Sequence, residues 1–254
     1  MNYAFFRPFV VALSVPLVVL VGVVVGDPPA PVAVSKYAPA DDLIKQVDLY
    51  VASMRDGLAD MAVYTDKSRL ITRDAHTMAA LALALAQSDE NHKLKESAPA
   101  LLAAARDLSK AKDYDAAKTA FTAVEAAVAG KAASAPDVKW ERVAGLGQLM
   151  KQVTFVNNRL RRNISRFDAR KDDNARDAAV LAVIGQAVMF DTHEVKNPDD
   201  LDKWYQLCGE MRDTAGGLNA AVHAGDKSAA EAALEKLRKN CDACHETFRV
   251  RAEP

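Results

Sequence analysis

"GDKSAAEAALEKLRKNCDACHETF", residues 225–248, decides how the chain is read. Ser228 and Glu231 stand at capping-box spacing, and Leu234, Leu237, Cys241, Cys244 and Phe248 continue one apolar stripe in steps of three and four, which predicts an amphipathic helix. Positions i, i+3 and i+4 share a helix face, so Cys241, Cys244 and His245 are expected to point into one groove.

Working back from this helix, the same pattern appears earlier. "KDYDAAKTAFTAV" at 112–124 aligns with "GDKSAAEAALEKL" at 225–237, "IKQVDL" at 44–49 with "MKQVTF" at 150–155, and "AALALALAQ" at 79–87 with "AAVLAVIGQ" at 178–186. In this register Cys241, Cys244 and His245 correspond to Val128, Lys131 and Ala132, so the first copy lacks the cluster. Alanine-rich helices also match one another through composition alone. Predicted helices run from Asp41 through Met61, Asp74 to Gln87, Ser97 to about Ala111 and Asp113 to Ala129, each with one apolar stripe, before "GKAASAPD" at 130–137 breaks the pattern. Four helices per copy give an expected all-α fold of two tandem antiparallel four-helix bundles, at 41–130 and 138–254. Half the 254 residues are hydrophobic and only 6 % are aromatic, which favours helix over sheet. A net charge of −1 gives no reason to expect nucleic acid as a partner.

Arg7 followed by an apolar run from Pro8 to Gly26 resembles an export signal, and its length also suits a membrane anchor. Both readings of residues 1–26 place the remainder outside the cytoplasm. Residues 27–40 hold four prolines and read as a linker.

Cys-x-x-Cys-His is the attachment string of c-type haem: two thioethers to the macrocycle and an imidazole to its iron. A zinc site needs a fourth ligand, for which Cys208, His193 or His223 could serve, but no second metal-spaced pair is present. A thioredoxin-like pair expects a βαβ setting. A disulfide between cysteines three apart on a helix fits bridge geometry poorly and leaves His245 without a purpose.

Residues 224–251 resemble the C-terminal helix of the cytochrome c′ family, the four-helix-bundle class of c-type cytochromes, and the resemblance extends over about 140–254. It implies one covalent haem c on Cys241 and Cys244, His245 as proximal iron ligand and Arg249 beside the proximal face. Arg249 also reads as an ordinary helix-end cation. The resemblance further implies a distal residue from the first helix of the haem bundle. "LMKQVTFVNNRLRR" at 149–162 places Met150 there, on a stripe with Val153, Asn157, Leu160 and Ile164, whereas an alignment through "RVAGL" at 142–146 places Leu146 there. Met150 could equally fill core.

A methionine ligand suits electron transfer; an apolar lid leaves the iron open to small ligands. The leading expectation is an exported, periplasmic or anchored monohaem electron carrier rather than an enzyme, with a redox protein or a diatomic gas as partner and a second copy of the chain as another candidate. The alternative is a gas-binding protein or a haem enzyme of peroxidase or nitric-oxide-reducing type, for which Gln148, Gln152 and Asn157 are the nearest distal polar groups. His76 and His92 are the only imidazoles of the first copy. Trp204, Tyr205 and Cys208 share a later helix and suit core or cofactor-edge packing. The basic run at 159–171 reads as a steering patch for an acidic partner or anionic lipid, or as a solvated helix end.

Overall fold

A computed structural model describes residues 26–132 and 136–249, and among these the chain is all-α, with eight α-helices and no strand. The helices are α1 (Ala40–Gly57), α2 (Met61–Gln87), α3 (Ala98–Lys110), α4 (Tyr114–Val128), α5 (Leu146–Asn163), α6 (Lys171–Val188), α7 (Leu201–Ala224) and α8 (Lys227–Phe248). The signal or anchor reading falls on residues 1–26, outside the described residues except for Gly26. No described helix is long and apolar enough to cross a membrane.

Aspartates start three of these helices by accepting a hydrogen bond from an exposed first-turn amide. Asp60 caps α2, Asp113 caps α4 and Asp226 caps α8, accepting from Val63, Ala116 and Ala229 at 2.9, 2.8 and 2.9 Å. The expected Ser228–Glu231 box is therefore corrected: Asp226 makes the cap and Ser228 already lies inside the helix. Met61 does not extend the stripe of α1, which ends at Gly57; it opens α2 and is exposed. The early turns of α2 were missed because residues 61–70 are mostly solvated, leaving no apolar periodicity to read.

In the first half α1 packs on α2, α2 on α3, and α4 on both α3 and α1. In the second half α5 packs on α6, α6 on α7 and α7 on α8, but α5 and α8 barely touch. The halves meet reciprocally: α1 lies on α6 and α5 on α2, while α2 and α6 touch each other. Both halves consequently share one continuous hydrophobic core. The amphipathic expectation fails for the second half of α2, where every residue of Thr77–Leu85 is buried, and α6 is likewise buried throughout Ala178–Val188. A helix enclosed by neighbours from both halves has no solvent face to make polar.

Close approach explains two glycines. A Cβ on Gly185 of α6 would sit 2.6 Å from the Arg212 backbone nitrogen of α7, and one on Gly216 would sit 2.8 Å from Tyr37. Tyr37, Val34 and Ala38 are buried, so the end of the proline-rich segment docks on α7 instead of acting as a free spacer. Two buried polar clusters at the join are hydrogen-bonded. Gln152 donates to the Tyr50 hydroxyl at 2.7 Å, and Asp42, 3 % exposed, accepts from Asn219 at 2.7 Å and lies 2.7 Å from His223 Nε2.

Candidate haem site

The gap between α5 and α8 is a cavity of about 420 Å³, within the usual range for small-molecule sites. From α8 come Cys241, Cys244, His245 and Phe248, with Arg249 just beyond the helix. From α5 come Leu146, Met150, Val153 and the stems of Lys151 and Thr154. Trp204, Leu207, Cys208 and Met211 of α7 form the floor. All seven residues singled out for the site in the sequence thus line one cavity. Leu146 and Met150, one turn apart, both face it.

The register of α8 is held by Asn240, immediately before the motif. Its buried amide donates to the Leu207 carbonyl at 3.1 Å and to Glu210 at 3.3 Å. At one end Trp204 packs edge-on against Phe248 with ring centroids 5.1 Å apart, and its indole N–H donates to the Val188 carbonyl at 3.2 Å. These contacts aim both cysteines inward while His245 remains exposed on the next position.

The three cysteines are all free thiols. Burial, followed by the neighbouring Cys241, pushes the Cys244 thiol up to about 11; burial, followed by Asp242, raises Cys241. Cys208 is raised far above the ordinary thiol range by burial and then by Cys244, so it behaves as an inert apolar wall. No cluster of three or more His, Cys, Asp or Glu side chains suited to a metal ion occurs among the described residues. Of the proposed zinc partners, His223 pairs with Asp42 and His193 with Asp191 and Glu194, away from the motif, whereas Cys208 lines the cavity beside Cys241 and Cys244. Two thiols and an imidazole on one wall of an apolar slot suit a flat macrocycle held at its edge and through its metal.

Other candidates lie elsewhere. Gln152 is committed to Tyr50, and neither Gln148 nor Asn157 lines the cavity. His76 accepts from the Gly145 amide at 3.3 Å and His92 lies 3.0 Å from the Leu85 carbonyl. Tyr205 donates to the Gly26 carbonyl at 3.2 Å. The basic run sits at the far end of α5 from the cavity, and two of its members are neutralised, Arg159 by Asp177 and Arg170 by Asp173. Lys151, Glu194 and Asn240 went unnoticed in the sequence. An isolated polar residue carries no periodic signal, and Glu194 reaches the cavity from a loop.

The comparison with known families adds the decisive observation. Residues 141–249 match the family model described as Cytochrome C'. Over these residues the chain is similar to the cytochrome c′ family, and the match supports a c-type haem protein of the electron-transfer or gas-binding kind. No curated protein and no solved structure matches the chain. The cytochrome c′ match begins just before α5 and ends at Arg249, so it spans every cavity-lining residue and none of α1–α4.

Proposed function

We propose that this chain is an exported electron carrier with one covalent haem c, attached through Cys241 and Cys244, with His245 as proximal ligand and Met150 as distal ligand. The carrying observation is that Met150 on α5 and His245 on α8 line the same cavity, beside both cysteines. Haem bound there supplies a one-electron iron couple. The chain's own part is to hold it by two S–C bonds, formed by adding each thiol across a vinyl double bond, and to exclude water with Leu146, Val153, Trp204 and Phe248.

Absorption spectra of oxidised and reduced protein test this directly. A ligating Met150 makes the oxidised form low-spin, and Met150→Ala converts it to a high-spin form that takes up carbon monoxide faster when reduced. A second reading, a five-coordinate gas binder, rests on Leu146 lining the same wall. It predicts high-spin wild type, with Leu146→Ala changing carbon monoxide uptake more than Met150→Ala. Haem removable from wild type by acid-acetone would refute covalent attachment.

A further inference from the structure

Helix α5 carries the Leu146, Met150 and Val153 wall of the cavity, yet α8, which it faces across the gap, barely touches it. Its packing comes from α6 of its own half and from α2 of the other. Three contacts from the first half reach α5 along its length. At its start Gly145 is the N-cap and has no side chain with which to cap; its amide donates to His76 Nδ1 of α2 at 3.3 Å, while its carbonyl accepts from Gln148 and Leu149 at 3.0 and 3.1 Å. In the middle, buried Gln152 donates to the Tyr50 hydroxyl of α1 at 2.7 Å. Further along, the Arg73 guanidinium of α2 stands 4.5 Å from the centre of the Phe155 ring.

His76 Nδ1 can accept only in the neutral ring, with the proton on Nε2. Burial lowers the proton affinity of this imidazole and so favours that form. Gln152 and Phe155, three apart, share a face of α5 other than the one that Leu146, Met150 and Val153 turn to the cavity. The distal wall is therefore held from behind, by side chains of the first half.

We propose that the first half sets the position of α5 opposite α8, with His76 and Tyr50 as positioning residues for the distal wall of the haem site. Neither side chain lines the cavity, so each acts through α5. The inference rests on the haem reading above.

The test uses the full-length haem-loaded protein, once its absorption spectrum has established that haem is bound. In the reduced, carbon-monoxide-bound form, amide hydrogen exchange read by NMR should be faster at Gly145, Gln148 and Leu149 in His76→Ala than in wild type. His76→Asn, whose side-chain oxygen stands where Nδ1 stood, should restore slow exchange. His76→Ala and Tyr50→Phe should each raise the rate of carbon monoxide uptake severalfold, in the direction expected of Met150→Ala, and His76→Asn should return it to the wild-type rate. Unchanged exchange at the three amides in His76→Ala would overturn this inference alone. So would variants that unfold at lower denaturant yet keep the wild-type rate, because such contacts would stabilise the fold without positioning the wall. A protein that binds no haem overturns the haem reading and this inference with it.

Discussion

The two halves share a helical order but differ at one end. In the first half α4 stops at Val128, and Gly130 follows with φ +67°, a left-handed conformation suited to glycine. In the second half α8 continues two turns past the corresponding Cys241, to Phe248. Their third helices differ likewise: α3 has 13 residues and α7 has 24. Where α7 supplies Trp204, Leu207 and Cys208 to a cavity floor, the first half has the irregular segment 88–97, with Leu94 buried and Lys95 donating to the Ala86 carbonyl at 3.1 Å. Ile44 and Val47, the counterparts of Met150 and Val153, are buried, whereas Met150 and Val153 remain partly exposed along the cavity. The cavity is thus lined by the added lengths of α7 and α8 on one side and by α5 on the other, and the shorter helices of the first half supply no such walls.

The largest effect expected of this difference is complete. Cys241→Ala with Cys244→Ala should leave no haem attached after acid-acetone extraction, while Val128→Ala should leave attachment intact. Haem on the double variant would break the contrast between the halves.

Spacing between helices comes next. Gly185 lets α7 approach α6, whereas its aligned position in α2 is Ala86, which already carries a Cβ. Gly185→Ala should cost up to about 3 kcal/mol, since the added atom meets backbone and not a flexible side chain. Chemical denaturation measures this. Because both halves share one core, the transition should stay single; two separated transitions would show that the halves unfold independently.

Asp42→Ala removes the partner of Asn219 and His223 at the join and should cost about 2 kcal/mol by the same measurement. A loss confined to one of two transitions would again separate the halves.

The thiols give a pH test of the same contrast. The folded chain holds Cys244 protonated up to about 11 against an unfolded value of 9.0. Its contribution is thus fully present below pH 9 and lost as pH rises towards 11, where the unfolded chain binds fewer protons. Haem-free protein should lose stability over that window, and haem-loaded protein, whose sulfur is a thioether, should lose less. The counterpart in the first half, Lys131, offers no thiol. At the small end, Arg238→Ala removes exposed pairs with Glu235 and Asp242 on α8 and should leave the denaturation midpoint almost unchanged.

The sequence by itself determined the all-α class and the grouping of Cys241, Cys244 and His245 on one helix face, because helical periodicity and i, i+3, i+4 geometry are local properties of the chain. It also carried the internal repeat and the absence of the motif from the first copy. Tertiary structure decided which helices became central, because burial of Thr77–Leu85 and Ala178–Val188 on every side depends on neighbours distant in sequence. It decided that residues 34–38 dock on α7, through the missing side chain of Gly216. It brought Glu194 from a loop to the cavity that Met150 and Leu146 both line. Those placements follow from packing between elements, and no spacing along one helix encodes the distance to another.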